Sequence, residues 1–252
     1  MRSLGVLATA LVLALSGCSG DEEPEKGPDL PTQNELTAYF GAVASYDTDA
    51  LAAAAEVARD GSPAQAYLGY LGDYAASADA AGQPVAGSEV KAVDGGFTAC
   101  GGTGKPDECV TWSDLEGEDG ALTDFTVNDV ALDDSLVDLG DQAPVAAEGL
   151  YEVQPDFAYR SPQSGTLFVT VTVTAGDVPV SPEPGVYIEQ DQILNGTRTR
   201  APATVEAGAS TPVVLAFPHA EKAGLDGQVT FDLGLAGQGT QSIGFGLATS
   251  AG

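Results

Sequence analysis

"TLFVTVTVTAG", residues 166–176, alternates almost without a break, with Leu167, Val169, Val171 and Val173 on one face and mainly threonines on the other. A side-chain period of two belongs to a strand, so the segment predicts a β-strand with one buried face and one wet face. Upstream, Tyr151 and Val153 begin a similar pattern. Downstream, apolar runs at 186–193, 199–205, 213–217, 229–235 and 243–247 are set apart by Gly, Pro and Asn. About seven strands in about 100 residues, with no helical period among them, predict an antiparallel two-sheet sandwich over residues 141–252.

The residues before Gly140 read differently. Leu36, Tyr39, Phe40 and Val43 repeat at i, i+3, i+4 and i+7, the stripe of an amphipathic helix, and a second helical start at Asp47-Thr48 leads into an alanine-rich run that should stop at Asp60-Gly61. Ser62-Pro63-Ala64-Gln65 is a helix start written in full: Ser caps, Pro suits the first turn and Gln can reach back as a capping box. Along that helix Tyr67, Tyr70, Leu71 and Tyr74 share a face until Gly82-Gln83-Pro84 ends it. The tyrosine stripe has two readings, a core face with hydroxyls at its rim or the wall of a ligand pocket. From Val85 onward, short apolar runs at 90–93, 97–100, 109–112 and 122–127 alternate with Gly-rich turns and predict hairpin-linked strands. The fold class expected for the whole chain is therefore α+β followed by all-β.

Helices first and a curved antiparallel sheet afterwards, over about residues 34–140, resembles the NTF2-like, ketosteroid-isomerase-like fold. The segments "YFGAVASYD", "GSPAQAYLGYL", "TACGGTGKPDECVTW" and "DGALTDFTVND" resemble the first domain of actinobacterial membrane-anchored lipoproteins. The resemblance implies location more than activity. Residues 141–252 resemble an Ig-like sandwich in architecture alone, because that half has neither an internal Cys pair nor a tryptophan.

The amino terminus supports the same address. Arg2 precedes an uncharged apolar run from Gly5 to Leu15, a signal-peptide core that falls short of the roughly 20 residues a spanning helix needs. Leu15-Ser16-Gly17-Cys18 resembles a bacterial lipobox, in which small residues let the peptidase cut before Cys18 and the thiol carries a diacylglycerol. Residues 1–17 are thus expected to leave as signal peptide. One acyl chain gives only marginal anchoring and several give stable anchoring, so the expected location is the extracytoplasmic face of the cell membrane. Residues 18–33, rich in acid, Pro and Gly, read as a disordered tether with a reach on the order of 50 Å.

The chain carries 37 acidic and 9 basic residues, a net charge of −28; loss of Arg2 leaves 8 bases against 37 acids, a net −29. Such a field repels phosphate backbones, so nucleic acid is an unsuitable partner. The acidic clusters at 114–120 and 129–141 lack the spacing of a calcium loop. With Cys18 lipidated, Cys100 and Cys109 remain, flanking "GGTGKPDE" between two strand-like runs. Outside the cytoplasm they are expected to pair as a disulfide, and closing a ring of about ten residues contributes about 2.7 kcal/mol by the chain-entropy relation. A zinc site would need further soft ligands, and the sole histidine, His219, is far away in sequence.

The residue types for catalysis are sparse. His219 stands beside Pro218 with no G-x-S-x-G motif elsewhere, and there is no P-loop, dinucleotide fingerprint or HExxH. Asp73 and Asp124, with the tyrosines, are the types that isomerases of the NTF2-like fold use, but spacing alone does not gather them. Arg160, Arg198 and Arg200 are assigned no site. The expectation is a protein without cofactor or catalytic residues that binds or interacts at the envelope, its partner another envelope protein or a small ligand held in the first domain.

Overall fold

The computed structural model describes residues 29–101, 108–198 and 201–248. Cys18, the expected signal and residues 18–28 of the expected tether lie outside the described residues, as do the loop 102–107 and Arg200. The end of the expected tether is corrected, because Pro31 is buried, Thr32 caps α1 and Gln33 opens it. Three helices come first: α1 (Gln33–Ser45), α2 (Thr48–Ala54) and α3 (Pro63–Ala80). Each begins at a side-chain cap. Thr32 and Glu35 form a reciprocal capping box on α1, the Asp47 carboxylate accepts from Ala50 N at 2.8 Å on α2, and the Ser62 hydroxyl accepts from Gln65 N at 3.2 Å on α3. The Gln65 amide reaches one residue further back than a capping box requires and accepts from Gly61 N at 2.7 Å. No helix among the described residues is long and apolar enough to cross a membrane.

Helix α2 stops at Ala54, before the expected Asp60-Gly61 boundary, because the next residues are recruited by a strand. Val57 O accepts from Leu122 N at 2.9 Å and Arg59 N donates to Leu122 O at 2.8 Å. Leu122 belongs to an antiparallel sheet whose order is its sequence order: β1 (Val90–Val93), β2 (Gly96–Cys100), β3 (Cys109–Glu118), β4 (Ala121–Val127) and β5 (Val130–Ala131). Phe40 from α1 is fully buried and fills the space above this sheet, with ring centroids 4.7 Å from Phe97, 5.4 Å from Trp112 and 5.3 Å from Phe125.

Two further antiparallel sheets pack face to face. One has the order β13 (Thr197–Arg198), β14 (Ser210–Phe217), β9 (Leu167–Ala175), β8 (Tyr151–Arg160), β6 (Leu136–Asp138), with β7 (Val145–Ala147) also on β8. The other has the order β10 (Val180–Pro182), β15 (Gln228–Leu235), β11 (Val186–Glu189), β12 (Gln192–Asn195), with β16 (Gly239–Gly246) also on β15. Val169, Val171 and Leu215 from the first share one core with Tyr187, Phe231 and Ile243 from the second. Strand β6 lies before Gly140 yet pairs with β8, so the two halves of the chain share a sheet. The whole is a mixed α+β protein with curled antiparallel sheets.

Three strand expectations are corrected. The run 186–193 folds back on itself as the hairpin β11–β12, with Gln190 at φ 49° in its turn. The run 199–205 gives no extended strand among its described residues; only Val205 bridges, to Val180. The third correction matters most. The threonine face of β9 is only partly wet: α3 packs on β8, β9 and β14 from outside the sandwich, and Thr172 and Thr174 stay half-buried. Thr170 is fully buried and Phe168 packs edge-on to Tyr74 with centroids 5.6 Å apart.

Helix α3 is therefore covered on two sides, which explains the weak polar face in its sequence. One side carries the tyrosines and the other carries small residues. A methyl group at Gly69 would stand 2.5 Å from Cζ of Phe157, so the bare backbone is what lets helix and sheet approach. Gly costs about 1 kcal/mol in a helix interior relative to Ala, but overpacking a closed seam costs 1–3 kcal/mol. Gly69→Ala should accordingly destabilise by about 1 kcal/mol in urea unfolding; a stabilised variant would show that the seam is loose.

Candidate functional site

Between α3, the first sheet and the outer face of β8–β9 the side chains leave a cavity of about 230 Å³. Its aromatic wall is Tyr46, Tyr67, Tyr70, Tyr74, Tyr159 and Phe168. Val110 and Val127 close it from the sheet, Val85 from the loop after α3, and Ser161, Gln163 and Ser164 from the β8–β9 turn. The three tyrosines singled out in the sequence are brought together here, and they serve both readings at once: Tyr67 and Tyr70 are buried in the core while Tyr74 is half-buried.

Tyr159 was not legible as a wall residue. Strand β8 begins with Tyr151 and Val153 facing the sandwich core, and strict alternation would send Phe157 and Tyr159 the same way. The register with β9 slips between Pro155 and Phe157. That bulge adds one residue and turns every later side chain over, so Ala158 faces the sandwich and Tyr159 faces α3. The signal was present: a proline inside a central strand marks a bulge, and Pro155 sits between Val153 and Phe157. Tyr159 lies against Tyr70 at a tilt of 42° with centroids 4.7 Å apart and meets Tyr67 edge-on at 5.4 Å. The Tyr67 and Tyr159 rings are thus in direct contact in the core. Burial pushes both phenols well above their ordinary range, so they act as neutral donors and acceptors.

Tyr46 is the second wall residue that sequence spacing did not show. It ends α1 at φ 55° and ψ 23°, a left-handed conformation that glycine adopts freely and that costs other residues roughly 1–2 kcal/mol. Its ring lies 6.1 Å from that of Tyr74. That conformation is the one in which helices commonly stop, and it turns the chain from α1 toward α2. The loop bearing Val85 is pinned to the same helix end: Ser88 N donates to Ala44 O at 2.8 Å, and a Cβ on Gly87 would meet Ser45 O at 2.8 Å.

The cysteines support the opposite wall. Cys100 and Cys109 are register partners on β2 and β3, with their sulfurs at disulfide distance, 2.02 Å. Val110 follows directly, and Gln163 of the β8–β9 turn donates from Nε2 to Cys109 O at 3.5 Å. The turn itself is tied by Ser161 N to Thr166 O at 2.9 Å and Ser164 N to the Ser161 hydroxyl at 3.3 Å.

The candidate acids lie elsewhere. Neither Asp73 nor Asp124 is among the described residues that wall the cavity. Asp73 points from α3 into the seam with the sandwich, where the Thr170 hydroxyl donates to Oδ2 at 3.1 Å. Asp156, at the β8 bulge, accepts from the Thr172 hydroxyl at 2.8 Å. Burial, reinforced by Asp156, raises Asp73 to about 7; burial, opposed by the Thr172 hydrogen bonds, raises Asp156 to about 6. Asp124 accepts from its neighbour Phe125 N at 2.7 Å, and burial is the main cause of its raised pKa.

His219 is exposed in a turn at φ 64°. Arg160 donates to the carbonyls of Ala223 and Asp134 and so ties two loops together. Among the described residues no group of three His, Cys, Asp or Glu side chains is placed to hold a metal. A wider hollow at Asp138, Asp141 and Gln142 is crossed by Gln142 Nε2 donating to Gly246 O at 3.0 Å. No family model matches the chain, and no curated protein matches it.

Proposed function

We propose that the chain is a lipid-anchored protein of the cell envelope, held on the extracytoplasmic face through Cys18, that binds a small molecule without transforming it. In this reading the three helices and first sheet are an NTF2-like module, and the paired sheets that follow are an Ig-like domain. The observation that carries the proposal is the tyrosine-walled cavity, into which Tyr67, Tyr70 and Tyr74 converge with Tyr159 from the sandwich. Small-molecule sites are concave, mainly apolar and dotted with a few polar groups, and this wall has that composition. Its size suits a ligand smaller than a drug-like molecule.

A scaffold acting through its surface would need a continuous apolar patch. The large apolar side chains exposed among the described residues are Leu30, Val93 and the facing pair Ile188 and Ile193, which favours the cavity over the surface.

Native mass spectrometry of protein purified from the producing cell tests the binding. A mass increment that disappears on denaturation is expected, and Val85→Trp, which puts an indole in place of an isopropyl group on the cavity wall, should abolish it. No increment under conditions that keep the fold would refute the cavity's role. Metabolic labelling with palmitate tests the anchor: label should enter the unaltered protein and be lost in Cys18→Ala, and label retained in that variant would remove the anchor.

A further inference from the structure

We propose that the cavity ligand is a quaternary ammonium compound, an inference that rests on the small-molecule reading above. None of the fourteen residues that wall the cavity carries a formal charge. An anionic ligand would find no cation there and would enter against a chain of net charge −28, whose field enriches cations instead. A primary ammonium would lose its water without a carboxylate to receive its N–H groups. A quaternary ammonium has no N–H to satisfy, and aromatic ring faces are its usual partners.

The geometry fits that chemistry. A cavity of 230 Å³ has a radius of roughly 4 Å if spherical, inside the ~6 Å range over which ring faces attract a cation. Tyr46, Tyr74, Tyr70 and Tyr159, in ring contact one to the next, supply electron-rich rings. With no Asp or Glu in it, the wall offers no anionic group that would favour a hydrated metal ion. Ser161, Gln163 and Ser164, all from the β8–β9 turn, add polar side chains to the wall, to which a hydroxyl carried on the ligand's tail can bond.

Calorimetric titration of the purified mature chain, at constant ionic strength, tests the inference with three probes. Choline should bind at one site per chain. Its uncharged carbon isostere 3,3-dimethylbutan-1-ol should bind at least tenfold more weakly, and ethanolamine should give no saturable signal. Tyr74→Leu should weaken choline at least fivefold, while Tyr74→Phe, which keeps the ring, should retain it. Because the first comparison uses the unaltered protein, it stands even if Tyr74→Leu fails to fold. Equal binding of choline and its isostere would overturn the quaternary ammonium inference and leave the small-molecule reading intact. The same holds if no probe binds while native mass spectrometry shows a ligand that Val85→Trp removes. Absence of both signals would overturn the two together.

Discussion

Replacing Asp73 by asparagine should stabilise the protein by about 2–3 kcal/mol more at pH 8 than at pH 5. The Asp73 carboxyl titrates near 7 in the folded chain against an ordinary value of 3.8. Between those two values the folded state holds a proton that the unfolded state has released, so stability falls as pH rises through the window and levels off above it. A shift of three units corresponds to about 4 kcal/mol over the whole window, and the part above pH 5 is about 2–3 kcal/mol.

The groups around Asp73 make the sign clear. Asp156 on β8 faces it with like charge, Asp138 on β6 presses on Asp156 in turn, and Thr170 and Thr172 on β9 give each carboxylate one hydroxyl. Asparagine keeps an oxygen for Thr170 and removes the charge. Urea midpoints at the two pH values measure the effect; an equal gain at both would mean that Asp73 titrates normally and that the seam is open to water.

Phe40→Ala should cost about 3–5 kcal/mol. The ring is fully buried and lies within aromatic contact of Tyr39, Phe97, Trp112 and Phe125, so truncation removes several edge and stacking contacts at once. It also leaves a void that the sheet below cannot fill, since Phe97 and Trp112 are opposed across β2 and β3. Urea unfolding, followed through the sole tryptophan, Trp112, reads this directly. A loss below about 1 kcal/mol would be outside the range for a buried ring and would contradict the packing of α1 on the first sheet.

Much of the fold could be read locally. Thr32, Asp47 and Ser62 announce their helices because a cap is a contact within four residues, and β1 to β4 follow from short alternating runs with turn residues between. The face of β9 could not be assigned that way. Its threonines look solvent-facing until α3, some ninety residues earlier, is laid over them, and nothing in either segment alone states that contact. The cavity shows the same limit. Tyr67, Tyr70 and Tyr74 share a helical face and were visible as a group; Tyr159 joins them only because the Pro155 bulge reverses the strand, and Tyr46 only because α1 ends in a left-handed residue. Asp73 and Asp124 matched the residue types of an acid-base site, yet α3 turns Asp73 toward the sandwich and away from the tyrosines.

The most direct test of a ligand-binding role is a high-resolution crystal structure of the protein purified from its producing cell, inspected between α3, Val110 and the β8–β9 turn. The account predicts density for a small molecule enclosed by Tyr46, Tyr70, Tyr74 and Tyr159, with its polar end toward Ser161 and Ser164. A cavity closed by those rings packing onto one another, with no room for a ligand, would contradict it.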